Sequence, residues 1–159
     1  MEQGMRSLPR DTPPAAAVSR KSSISSIRKY GDFAMKEIYA PETKTAIDRV
    51  IAVFQDYIKT CPYFEVLWSD KVGYIYLNID TASGRVGDIE VILIERAEEL
   101  LDHLLYELAI DTMEEGGHTV DPTEASKIER AEIERRLAPF MAQLPMYSDR
   151  VERVFTQDR

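Results

Sequence analysis

The chain predicts a mainly helical α+β fold, and two patterns carry that prediction. Apolar residues recur at three- and four-residue steps over most of the sequence from residue 41 onward, the spacing of amphipathic helices. Between the first and second such stretches, aromatic and β-branched residues crowd into two short runs separated by three polar residues, which reads as an antiparallel hairpin. At 159 residues and 44% apolar content, the chain is long enough to bury one sizeable core. The expectation is a two-stranded, or with one more strand a three-stranded, sheet packed on three to four helices.

The first helix is predicted from Pro41, a residue suited to the opening turn, with Glu42 beside it at the positive end of the helix dipole. Ile47, Val50, Ile51, Phe54, Tyr57 and Ile58 make its apolar stripe, which runs to about Thr60 before Pro62 stops it. One or two helical turns over Asp32 to Tyr39 precede it. The strands follow at Tyr63–Trp68 and Val72–Ile79, joined through Ser69, Asp70 and Lys71. Alternation along the second sends Ile75, Leu77 and Ile79 one way and Tyr74, Tyr76 and Asn78 the other. The aliphatic set is expected to pack on the helices and the tyrosines to be displayed.

Thr81 to Gly87 reads as a loop. Ile89 to Ile94 is apolar on every side of a helical wheel and fits either a third strand or the opening of a helix. Ile89, Ile92 and Leu93 step at helical spacing into Ala97, Leu100, Leu101, Leu104, Leu105 and Leu108, which favours one helix from about Asp88 to Glu114. Gly116 and Gly117 end it. Asp121 with Pro122 and Glu124 marks the next helix start, running to about Ala138, with Pro139 kinking or restarting it and Pro145 closing it. A short helix capped by Asp149 and Glu152 should follow.

Charge is segregated along this frame. Ten of the 28 carboxylates lie between Asp88 and Glu115 with Arg96 as the only basic residue there. Residues 1–29 carry six basic and two acidic groups, and residues 30–159 carry fourteen and twenty-six. The basic part, rich in serine and proline and poor in large apolar groups, is expected to be a disordered tail preceding a single acidic domain at residues 30–159. It would fold back on the acidic helix, reach nucleic acid, or be switched by phosphorylation at Ser22 or Ser23.

On a helix, Glu95, Glu98, Glu99 and Asp102 fall within an arc of about one hundred degrees opposite the leucines. Such a row repels itself, and a cationic surface would relieve that repulsion. It is therefore the candidate partner-binding face, with Tyr74 and Tyr76 at its border, for a protein with a basic surface, possible roles being inhibitor or nucleic-acid mimic. Equally, the carboxylates are ordinary solvated charges answered by Arg130, Arg135 and Arg136. Glu99, His103 and Glu107 stand at successive four-residue steps and raise the alternative of a metal-dependent enzyme or metal sensor, although the drift of about forty degrees per step keeps three side chains from closing on one ion.

Other chemistry has little support in the residues. The lone Cys61 cannot form an internal disulfide and has no histidine near it in sequence, no Gly-x-Ser-x-Gly elbow is present, and Gly84 and Gly87 are too few for a phosphate cradle. A helix, three strands, helix order would follow double-stranded RNA binding domains, but the acidic second helix is the wrong sign for phosphate. No apolar run approaches the roughly 18 residues that a membrane span needs. The expectation is a cytoplasmic, reducing location, no cofactor and no direct nucleic-acid contact by the folded domain. Oligomeric state is not legible.

Overall fold

The computed structural model describes residues 37–79, 89–118 and 121–156. The chain divides at Glu37 into two units, and the architecture described belongs to the second, Ile38–Arg159. The expected tail at 1–29, most of the turn at Asp32–Tyr39 and the loop at 81–87 lie outside the described residues. Two helices come first, α1 (Pro41–Val53) and α2 (Gln55–Thr60), then β1 (Phe64–Ser69), β2 (Gly73–Ile79), β3 (Ile89–Leu93), the long α3 (Ala97–Glu115), α4 (Lys127–Met141) and α5 (Arg150–Val154). Single 3-10 turns at Pro122–Glu124 and Pro145–Tyr147 join the last three.

The strands form one antiparallel sheet in the order β1-β2-β3, with Tyr76 opposite Val66 on one side and Ile92 on the other. The mainly helical α+β class holds, with the third strand present. The long helix expected from Asp88 is thereby corrected: Ile89–Leu93 is a strand, and the helix starts only after Arg96. Glu99 sets that start, because its carboxylate accepts hydrogen bonds from the backbone N–H groups of Glu95 at 2.8 Å and Arg96 at 3.2 Å. The backbone donors of the N-cap and of the residue before it are satisfied this way.

The core is built around α3, whose Leu100, Leu101, Leu104, Leu105 and Leu108 meet Ile47, Val50 and Phe54 from the α1–α2 arm and Ile133 and Leu137 from α4. At its far end α3 closes in a Schellman motif: His118 N–H donates to the Met113 carbonyl and Gly117 N–H to that of Glu114, each at 2.9 Å. Gly117 takes φ +83°, the left-handed conformation this motif requires and glycine accepts without cost.

The following helix start is one turn later than the sequence suggests. Asp121 does cap, accepting from Thr123 N–H at 2.9 Å, but only the 3-10 turn Pro122–Glu124. The α-helix is capped by Ser126, whose hydroxyl accepts from Glu129 N–H while the Glu129 carboxylate accepts from Ser126 N–H, both at 3.2 Å. Two Ser/Asp-x-x-Glu patterns follow one another here, Asp121–Glu124 and Ser126–Glu129, and the second wins because both of its reciprocal bonds form. Pro139 lies inside α4 two residues before its end without breaking it.

Candidate docking surface

Among the described residues, helices cover only one face of the sheet. Phe64, Val66, Tyr74, Tyr76 and Ile92 point to that face and join the core. Tyr76 lies at its centre with 1% of its surface exposed, its ring stacked on Phe64 at 5.1 Å and on His103 of α3 at 4.8 Å. Tyr74 is half-buried and its hydroxyl donates to Asp48 of α1. The orientation expected from sequence is therefore reversed: the tyrosines face inward, and neither is presented as a contact surface. Aromatic rings win that face because Phe64, Val66 and Ile92 share it, and Tyr57 extends the aromatic stack from α2.

The opposite face holds Leu67 of β1, Ile75, Leu77 and Ile79 of β2, and Ile89, Val91 and Leu93 of β3. The register sets them in rows, Leu67–Ile75–Leu93, then Leu77–Val91, then Ile79–Ile89. None of the seven belongs to the core. On the flanking strands exposure reaches 43% at Leu67, 49% at Leu93, 51% at Ile89 and 59% at Val91. Among the described residues Glu65 is the single charge on this face. Tyr63, on the same side as Glu65, lies exposed at its rim, and β1 and β3 are both edge strands. The result is a continuous apolar surface of roughly 400 Å², the size of the largest such patch on a typical monomer, which is often a functional one.

The acidic row is not displayed as a row. Glu95 is exposed in the link before α3, whereas Glu99 is occupied as the helix cap. Asp102 is mostly buried between Arg150 at 3.5 Å and Arg153 at 3.6 Å of α5. Burial pushes its carboxyl upward while the two guanidinium groups pull it back. Glu98 remains partly open. The arginines that answer α3 are thus Arg150, Arg153 and, for Glu115, Arg136 at 2.9 Å. Arg130 instead bonds Glu134 and Glu152, and Arg135 bonds Glu132 within its own helix.

Nor do Glu99, His103 and Glu107 converge. No group of three or more His, Cys, Asp or Glu side chains arranged to hold a metal ion occurs among the described residues. His103 is committed to the Tyr76 ring. Glu107 is half-buried, and burial together with Asp111 and Glu114 pushes its carboxyl up to about 7. Beside it Tyr57 donates to Asp111 Oδ2 at 2.6 Å, and the Tyr76 hydroxyl is buried without a hydrogen-bond partner. Cys61 also borders this cluster, and burial, reinforced by Asp111, pushes its thiol up. That favours the thiol over the thiolate a nucleophile needs.

A cleft of about 460 Å³ runs between α1 and the Pro145–Tyr147 turn, lined by Glu42, Thr45, Arg49 and Tyr147 among others. Arg49 is already directed to the Gln143 carbonyl at 3.5 Å, so the cleft gathers no convergent polar groups. No helix among the described residues is long and apolar enough to cross a membrane. Comparison with protein-family models, with curated proteins and with solved structures finds no match. The outer face of the sheet, which periodicity alone assigned to the interior, is the feature of this fold most in need of a function.

Proposed function

We propose that the chain is a non-enzymatic interaction protein of a reducing, cytoplasmic compartment, and that it docks on protein through the outer aliphatic face of its sheet. The supporting observation is that the outer side of β2 and β3 is aliphatic along its length while the described helices cover only the opposite side. Strands read as near-continuous apolar runs where both faces are packed. An uncovered aliphatic face exposes to water the surface whose removal drives most protein association.

A basic partner reached through Glu95, Glu98, Glu99 and Asp102 has weaker support. Two of the four carboxylates already serve the chain's own helix cap and its own arginines. The direct trial replaces Val91 and Leu93 together by glutamate and compares chemically cross-linked complexes in the native host. Complexes should form with the native chain and with Glu98→Gln, and vanish with the double variant. Identical complexes from all three chains would refute docking through this face.

A further inference from the structure

We propose that the occupant of the outer sheet face is a second copy of this chain, packed face to face about a twofold axis. This deepens the docking role just argued and rests on it. The chemistry of the face narrows the choice of partner. Interfaces between unlike proteins that associate reversibly are about as apolar as ordinary surface, whereas the interfaces of homodimers are more apolar. Among the described residues this face has seven aliphatic side chains and one charge, placing it with the second class.

Its shape agrees. A pleated sheet is best matched by another, the two stacking about 10 Å apart with their side chains interleaved. The centre of the patch is Leu77, flanked in register by Glu65 on one side and Val91 on the other. A twofold axis near Leu77 sends the two Glu65 carboxylates to opposite margins, about 10 Å or more apart by strand spacing and within reach of water. Both copies are acidic, with a formal charge of −8 each, yet the contact itself holds little of that charge.

Area sets the strength. With strands about 4.8 Å apart and about 3.3 Å per residue, and with the rim at Tyr63 included, each copy offers roughly 500 Å². Pairing two removes roughly 1,000 Å² in total, the lower bound for a specific interface. A reversible dimer with a dissociation constant in the micromolar range is therefore expected, rather than an obligate one.

Sedimentation velocity of the full chain, from about 1 to 100 μM, spans that range. The native protein should shift reversibly from monomer to dimer. Val91→Glu on β3 and Leu67→Glu on β1 should each weaken dimerisation at least tenfold while keeping the native circular dichroism melt, and if one fails to fold the other carries the test. Ile128→Glu, at the 83% exposed residue on α4, should leave dimerisation unchanged.

A dimer that survives both glutamate variants overturns the proposal, since it would be held by strand edges or another surface. A monomer throughout also overturns it, and binding of the probe bis-ANS then separates the two readings. Fluorescence abolished by Val91→Glu means the face is open and takes a different protein. No fluorescence with the native chain means the face is covered within one molecule, and the docking role falls as well.

Discussion

The two faces of the sheet are both largely apolar and differ in what covers them. The inner face is aromatic, sealed by α3 and continuous with the leucine core; the outer face is aliphatic and borders water. By hydrophobicity alone the isoleucines and leucines have the stronger claim to the interior. Stacking decided otherwise, because Tyr76 finds Phe64 and His103 on the inner side, and Tyr74 finds Asp48 for its hydroxyl. A face therefore belongs to the interior through the partners gathered there, and the apolar set that loses the competition is left as a surface for use.

The sharpest way to break that comparison is truncation on the inner face. Tyr76→Ala should cost about 4 kcal/mol, since it removes a fully buried ring and leaves a cavity among well-packed neighbours. Urea denaturation measures it, and a loss below about 1 kcal/mol would mean that the inner face is not the core it is taken for.

A smaller effect separates the two faces by pH. The Glu107 carboxyl lies against the inner side and titrates near 7 in the fold, above its ordinary value of 4.5. Below 4.5 both folded and unfolded chains hold the proton and the contribution is complete. As pH rises toward 7, the unfolded chain releases its proton first and stability is lost through that window. Allowing for partial exposure, the loss is about 1–2 kcal/mol. Glu107→Gln should abolish this slope and make the protein more stable than the native chain at pH 8. A native chain whose stability is flat between pH 5 and 8 would contradict it.

The smallest expected effect lies on the outer face. Val91→Ser should change the stability of the monomer by no more than about 0.5 kcal/mol, as for surface substitutions generally. Measured at a concentration where the chain is monomeric, a cost of about 2 kcal/mol would show that Val91 is packed and that the two faces do not differ as described.

Much of this arrangement was legible in the residues. The α1 stripe, the hairpin and the glycine end of α3 followed from period, composition and turn chemistry. The third strand was the open alternative, because five apolar residues among the six from Ile89 to Ile94 satisfy helix and strand alike. β-branching at Ile89, Val91 and Ile92, and the polar break at Glu95 and Arg96, were the signals that favoured a strand. The acidic row was misplaced for the same reason: with the helix starting at Ala97, Glu95 leaves the wheel and Glu99 turns back to cap it. Pairing of Asp102 with Arg150 and Arg153 was beyond local patterns, since those residues meet across some fifty positions of chain.

Tyr39 ties the start of the described domain to the end of its sheet. Its hydroxyl donates to the Ile94 carbonyl at 2.6 Å and accepts from Tyr74 N–H at 2.8 Å, and a Cβ on Gly73, which has φ +86°, would overlap its ring. One phenol thus acts as a rivet between β2 and the chain leaving β3. Proteases that trim the chain ahead of Glu37 should leave this rivet in place, whereas a cut after Tyr39 would let the hairpin tip splay from the helices.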